Sequence, residues 1–471
     1  MRKTVLFILF VGLCVVVNAQ DIHQKLDDAV KHLQQDTQMK HAILGFYVVN
    51  NRTNEVVYDI NGGVGLAAAS TQKIFTSIAA FDILGSDYRY KTEVGYNGKI
   101  NAGTLTGNVF IRGYGDPSFG SWRFSTTKRA VLARQLASFI TEAGIHTIHG
   151  GVVLDGTKFS YQPIPGGWIW EDIGNYYGAG TWGINWNENQ YDLALKPGTK
   201  EGDTVKILAT DPPLEVPITN FLTTGPAGSG DNGYVYLPPY GNTAFAEGTE
   251  ALGEHEVTIS GALPNPAVQF EHDLQIAFDN AHINFSKANH WYDLNDPAVK
   301  HRITYQPAKI LGTYYSPALD SLTYWFLQKS INLYGEAYAK TIAYEKTGFG
   351  STDTGVNVIR TFWQQNGIEK SSVKMIDGSG LSPQNRVTAN AEVMALQYAK
   401  TRPWFNSFYT ALPVYNGIKM KSGTIGGSKA FAGYQTSANG DEYTFSIIIN
   451  NYDGSAASIV HKMYEVLNVL K

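Results

Sequence analysis

Cysteine is all but missing from the 471 residues, with Cys14 alone in the chain. It lies in the opening segment MRKTVLFILFVGLCVVVNAQ. Once that segment is removed, neither disulfides nor thiol chemistry can contribute. The apolar run Val5 to Val17 falls short of the about 20 residues that span a bilayer. Arg2 and Lys3 precede it, and Val17-Asn18-Ala19 follows with the small residues that suit signal peptidase, so it predicts a cleaved export signal over 1–19 rather than an anchor. Leu13 stands before Cys14 where lipoprotein processing requires a small residue. An exported chain without cysteine fits the periplasm or cell envelope of a bacterium, with no integral membrane span after cleavage. Charge of one sign is also lacking: 37 Lys and Arg stand against 41 Asp and Glu, a net of −4, with no basic cluster. That excludes nucleic acid as a partner. No internal repeat, low-complexity linker or metal-ligand cluster is visible, and no cofactor is implied.

What is present is glycine (48), tyrosine (28) and 43% hydrophobic residues, the make-up of a folded, β-rich protein with many turns. The length suggests two or three domains. From Asp21, apolar residues at helical spacing lead into AILGFYVVNNRTNEVVYDING, which reads as two strands around a polar turn. Between about Lys91 and Ala298 the chain becomes short strands broken by glycine and proline, with few helices beyond 125–142. Helical periodicity returns with SPALDSLTYWFLQKSINLYGEAYAKTIAY, and alternating strands follow in KMKSGTIGGSKAFAGYQTSANGDEYTFSIIINNY. The amphipathic segment AASIVHKMYEVLNVL comes last.

One serine stands three residues ahead of a lysine in GLAAASTQKIFTSIAAFDIL: Ser70 and Lys73. On a helix that spacing puts both side chains on one face, about 5–6 Å apart at Cβ. A serine hydroxyl becomes a nucleophile when a neighbouring base takes its proton, and lysine serves as that base once desolvation or a nearby cation lowers its pKa. The surroundings predict such a dry site, because Ala67 to Ala69 precede the pair and no charge intervenes before Asp82. A serine in the first turn also places backbone N–H groups near a developing oxyanion. Ser125-Lys128 and Ser371-Lys374 share the spacing. Ser125 reads as the N-cap of a surface helix, however, and Ser371 leads into the turn DGSG.

Two further motifs separate Ser70 from these rivals. Chemistry of this kind uses a second hydroxyl to carry the proton, an amide to hold substrate, and a cation on a strand. Ser330-Ile331-Asn332 offers the hydroxyl and amide after LTYWFLQK, whereas Ser437-Ala438-Asn439 reads as a hairpin tip. The literal K-T-G, Lys346-Thr347-Gly348, ends a helix with no strand to present it. Lys421-Ser422-Gly423-Thr424 begins an alternating strand along which a substrate backbone can pair.

With these motifs in this order, the chain resembles the D-alanyl-D-alanine carboxypeptidase/endopeptidase family, the class C low-molecular-mass penicillin-binding proteins. GYGDPSF, GGVVLDGTKF, WGINWNEN, KSINLYGEAYAKT and DGSGLSPQNRVTA agree. Ser422 replaces the usual threonine and keeps its hydroxyl; Gly113-Tyr114-Gly115 replaces a plainer glycine run. The resemblance implies an α+β fold: a penicillin-binding-protein and serine β-lactamase-like transpeptidase domain, an antiparallel sheet flanked by helices, from 20–90 and 297–471. A large β-rich insertion over 91–296 would form two domains, one nested in the other.

It also implies the site. Ser70 would attack the carbonyl between two D-alanines of a peptidoglycan stem peptide with Lys73 as base. Ser330 would pass the proton to the leaving group, Asn332 would hold the substrate amide, and Lys421, Ser422, Gly423 and Thr424 would bind the terminal carboxylate. The N–H groups of Ser70 and Thr424 would form the oxyanion hole. β-Lactam antibiotics would act as covalent inhibitors. Asp172 and Tyr177 would line a pocket for the amine of the third stem residue. A serine β-lactamase shares all three motifs, but its deacylating glutamate stands between the second and third; here Glu171 to Asn175 has the pattern and comes earlier. A non-catalytic wall-binding scaffold is the remaining alternative, although every motif position holds a chemically competent residue.

Overall fold

The computed structural model describes residues 22–285, 291–300 and 304–471; the export signal expected over 1–19 lies outside them. The chain divides into two compact units. One holds residues up to Asp82 with Thr323–Ser330 and Val356–Lys471, and the other Ile83–Leu322 with Ile331–Gly355.

The first unit is built on a six-stranded sheet. Its strands are β1 (Ile43–Asn50), β2 (Val56–Ile60), β3 (Val414–Tyr415), β4 (Ile418–Ile425), β5 (Ser428–Thr436) and β6 (Glu442–Asn450). They lie in the order β3-β4-β5-β6-β1-β2, all antiparallel. Helix α1 covers 22–34, α2 Lys73–Leu84, α3 Ala389–Lys400 and α4 Ala456–Asn468. Strand periodicity explains the layering. Tyr443, Phe445, Ile447 and Ile449 of β6 share a core with Leu26, Val30 and Leu33 of α1 and Ile459, Met463 and Val466 of α4. The alternate residues point to the other face. There Ser446 donates to Glu392 of α3, and Asn450 donates to the Ala67 carbonyl at 2.9 Å. Because both faces are covered, β6 is buried along nearly its whole length and reads as an almost continuous apolar run.

In the second unit, the strands Trp291–Asp293, Val152–Asp155, Val109–Gly113, Lys91–Tyr96 and Lys309–Tyr315 form a sheet in that order. Helices Arg129–Glu142 and Pro266–Asn280 share its core through Leu132, Leu136, Ile140, Phe270, Leu274 and Phe278. The stretch between contributes a separate core of Tyr191, Leu193, Leu195, Leu222, Val235 and Ile259, under two three-stranded sheets. Lys309–Tyr315 pairs with Lys91–Tyr96 within this second unit.

Two helical expectations need correction. The helix read over 125–142 starts at Arg129 with Lys128 at its cap, which leaves Ser125 in the preceding turn rather than at the N-cap. The block thought poor in helices also contains Pro266–Asn280. Its signal was present: Asn265 caps it through the Ala267 N–H, Pro266 opens it, and Phe270, Leu274 and Phe278 recur on one face.

Candidate active site

Ser70 sits in a 3₁₀ turn, Ala69–Gln72, that runs directly into α2. The turn is held from both sides by glycines distant in sequence. A Cβ on Gly423 of β4 would come within 2.2 Å of the Ala68 carbonyl and 2.9 Å of the Ser70 nitrogen. A Cβ on Gly380 would come within 2.0 Å of the Ala69 carbonyl. Between them Ala69 adopts φ 50°, a left-handed conformation that an alanine keeps only when its surroundings fix it. Ala68, Ala69, Thr71, Gln72 and Lys73 are buried, and Ser70 is partly exposed.

The predicted contact between serine and lysine is present. Lys73 Nζ lies 2.9 Å from Ser70 Oγ and donates at 2.7 Å to the Ser379 carbonyl. The Phe326 ring lies 5.8 Å from the ammonium. Ser379 belongs to a segment organised by Asp377. That carboxylate accepts from Gln72 Nε2, the N–H groups of Gly380 and Ser382, and Asn385 Nδ2, so it ties the lysine's acceptor to the residue before the lysine itself.

Lys421 has no exposed surface. Its Nζ donates to Ser330 Oγ at 3.0 Å and to the Ser422 carbonyl at 2.8 Å. Ser330 is itself in a left-handed conformation, φ 55°, between the helices Leu319–Gln328 and Asn332–Thr347. Burial pushes the Lys421 pKa well below the usual lysine range, and the charges of Lys73 and Lys429 push it further. Among the described residues Lys421–Ile425 ladder only with β5, so the other edge of β4 is open for pairing there.

Ser70, Lys73, Ser330, Lys421, Ser422, Gly423 and Thr424 therefore all lie in the first unit. Asn332, Asp172 and Tyr177 lie in the second. Asn332 opens its helix and donates through Nδ2 to the Tyr177 carbonyl at 2.8 Å. Burial raises the Asp172 pKa to about 6 against a hydrogen bond with Tyr177 that lowers it; the Glu171 charge adds to the rise.

The rival motifs fall into ordinary structural roles. Ser125, Lys128, Ser371 and Lys374 are exposed, and Ser371 hydrogen-bonds to Glu369. Ser437 and Asn439 close the turn between β5 and β6. Lys346 is exposed in the last turn of a helix whose C-cap, Gly348, is left-handed at φ 79°. Glu171 is exposed, and Asn175 spends its side chain on the Glu171 carbonyl and the Val235 N–H.

Lys429 was missed by motif reasoning. It stands opposite Thr424 across the β4–β5 ladder, donates to Thr424 Oγ1 at 2.6 Å, and has its pKa lowered by burial. The Gly426-Gly427 turn was the signal, since folding the strands about it sets residue 429 against 424.

A partly exposed hydroxyl against a buried amine, beside a strand with one free edge, defines a serine hydrolase of acyl-transfer type. Residues 24–468 match the D-Ala-D-Ala carboxypeptidase 3 (S13) family, and the chain belongs to it. It is a serine-type D-Ala-D-Ala carboxypeptidase. It is 25% identical to the D-alanyl-D-alanine carboxypeptidase of Actinomadura sp. (strain R39), over 92% of this chain and 82% of that one. It is 26% identical to the D-alanyl-D-alanine carboxypeptidase DacB of Haemophilus influenzae, over 93% and 88%. The fold is similar to that of the crystal structure of penicillin binding protein 4 (dacB) from Haemophilus influenzae, with a TM-score of 0.77 and 23% identity over 96% of this chain and 98% of that one.

The close approach at Gly423 generates a test. Gly423→Ala should lower D-Ala release by about 100-fold and lower the thermal midpoint as well, because the added methyl, 2.2 Å from the Ala68 carbonyl, must displace the Ser70 turn by about an ångström. An alanine variant with wild-type turnover would show that the turn tolerates the shift.

Proposed function

We propose that the enzyme cleaves the D-Ala-D-Ala bond of peptidoglycan stem peptides through an acyl-enzyme on Ser70. The contact of Lys73 Nζ with Ser70 Oγ at 2.9 Å carries this reading. Neutral Lys73 takes the hydroxyl proton as Ser70 Oγ bonds to the carbonyl carbon of the penultimate D-alanine. The backbone N–H groups of Ser70 and Thr424 face the oxyanion. Ser330, which already accepts a hydrogen bond from Lys421, relays the proton taken up by Lys73 to the departing nitrogen. The C–N bond then breaks and D-alanine leaves; water then adds to the ester carbonyl, its proton passing by way of Lys73 to Ser70 Oγ as the ester C–O bond breaks, which restores the serine hydroxyl and neutral Lys73. Asn332 holds the substrate amide.

Lys421, with Ser422, Gly423 and Thr424, receives the terminal carboxylate. An anion arriving beside a buried lysine raises its pKa again, so carboxylate binding and protonation of Lys421 support each other. The same steps on a D-alanyl cross-link give endopeptidase activity. β-Lactams acylate the same serine; the Haemophilus influenzae protein has been solved in complex with a β-lactam. Export into the periplasm or cell envelope follows from cleavage of 1–19. No helix among the described residues is long and apolar enough to cross a membrane.

The decisive experiment is labelling with a reporter penicillin. Stable label on the Ser70 peptide, absent in Ser70→Ala, is expected. Rapid loss of label would make the enzyme a β-lactamase, and label retained by Ser70→Ala would remove Ser70 from the mechanism.

The two lysine motifs give opposite expectations. Losing a desolvated charge-assisted contact costs about 2–5 kcal/mol, so Lys421→Ala should lower acylation by D-alanyl peptides roughly 30-fold or more. Lys346→Ala, at an exposed helix end, should stay within about 0.5 kcal/mol of wild type. The reverse pattern in stopped-flow acylation would move the carboxylate site to residues 330–348.

Asp172 and Tyr177 are assigned to the pocket for the amine of the third stem residue. Only ionised Asp172 attracts an ammonium, so hydrolysis of free-amine peptides should rise as pH passes through about 6 relative to N-acetylated ones. Asp172→Asn should abolish that difference. Equal pH profiles for both substrates in the wild type would sink the assignment.

A further inference from the structure

Glu392 of α3 has no exposed surface, and its carboxyl reaches the Ser70 turn. Thr71 Oγ1 lies 2.6 Å from Glu392 Oε1 and 2.9 Å from the Ala68 carbonyl oxygen. Ser446 Oγ of β6 lies 2.6 Å from Glu392 Oε2. These are three hydrogen-bond contacts, and the two hydroxyls bring only two protons. With a carboxylate, Thr71 would have one proton for two acceptors on different sides. With a carboxylic acid the count closes: Glu392 donates to Thr71, Thr71 donates to Ala68, and Ser446 donates to the second carboxyl oxygen.

We propose that Glu392 acts as a neutral carboxylic acid that positions the nucleophile, clamping the Ala68–Thr71 turn through the Thr71 hydroxyl. This rests on the reading of Ser70 as nucleophile. The Ala68 carbonyl is the atom against which Gly423 packs, and Ala69 beside it is held left-handed. A proton shared along Glu392, Thr71 and Ala68 therefore acts on the backbone that aims Ser70. When Glu392 ionises, Thr71 must turn its proton to the carboxylate, and Ala68 loses the hydroxyl bond.

Burial raises the Glu392 pKa to about 7, while the bonds from Ser446 and Thr71 pull it down. Charged and titratable groups on the elements around α3 are Lys73 and Asp82 of α2, Lys429 and Tyr434 of β5, Glu442 and Tyr443 of β6, Tyr47 of β1 and Tyr409 of the helix Phe405–Ala411. None of them is among the causes of the shift. The linkage sign is fixed by a folded pKa above the unfolded one of 4.5. The clamp's contribution is full below the unfolded value and is lost as pH rises through about 7.

Glutamine reproduces the protonated pattern, since its amide N–H donates to Thr71 and its oxygen accepts from Ser446. The test measures two quantities from pH 5 to 9 in wild type, Glu392→Gln and Glu392→Ala: the acylation rate with a reporter penicillin and the thermal midpoint. Wild-type acylation relative to the glutamine variant should fall about threefold or more between pH 6 and 8. The glutamine variant's midpoint should rise above wild type over pH 5–7 and hold a constant lead beyond. The alanine variant should acylate slowly at every pH, and glutamine should restore the rate. Parallel profiles in wild type and glutamine variant overturn the proposal. So does a glutamine variant that gains heat stability without a changed acylation profile, for then the acid is neutral but has no hold on Ser70. Label remaining in Ser70→Ala would defeat the nucleophile reading separately, because the midpoint comparison does not depend on it.

Discussion

Two lysine ammonium groups, Lys73 and Lys421, are taken fully out of water in the same unit, and the partners found for them are hydroxyl and carbonyl oxygens. Placing a cation in such surroundings costs several kcal/mol unless it is hydrogen-bonded in good geometry or gives up its proton. Both outcomes serve acyl transfer. A lysine that sheds its proton cheaply is a base, and one that regains it when an anion arrives is a carboxylate receptor. The demand falls on the backbone, which must hold every acceptor within hydrogen-bond reach. Asp377 fixes the Ser379 carbonyl, Gly380 and Gly423 let three segments approach within contact distance, and Ser330 accepts a left-handed conformation to meet Lys421.

Those parts differed sharply in how far the sequence disclosed them. The contact of Ser70 with Lys73 and the strand position of Lys421 were legible because each residue is a chemical type in a distinctive local setting. Ser70 and Lys73 stand in a stretch without charge, and Lys421 opens an alternating run. The three rejected lysine motifs could be set aside for the same reason, since Ser125-Lys128 precedes a helix with one apolar face, Ser371-Lys374 leads into the turn DGSG and Lys346 ends a helix. The sheet strands from β4 to β6 and the last helix followed from periodicity alone.

Harder to read was whatever depends on partners distant along the chain. Lys429 gains meaning only from its register against Thr424, and Glu392 looks like an ordinary helix residue until Thr71 and Ser446 are seen to converge on it. Ser125 failed as a predicted cap because the helix begins one turn later, a boundary that local propensity fixes poorly. Helix Pro266–Asn280 escaped notice among glycine- and proline-rich strands although its cap and apolar face were intact. For Lys429 and Glu392 the missing information was tertiary, whereas the signal for Pro266–Asn280 was local.

The pairing of β1 with β6, Ile43 against Asn450 through Asn50 against Tyr443, closes a loop of nearly the whole chain. Contacts that distant raise the entropy lost before any reward arrives, and proteins rich in them fold slowly. The Ser70 turn is bounded by residues near 68, 380 and 423, so no contiguous fragment assembles it. As the chain grows, its N-terminal hairpin must wait with an unpaired edge until β6 has been made. Ser70 thus gains its setting only when residues near 380 and 423, more than 300 positions further along, are in place.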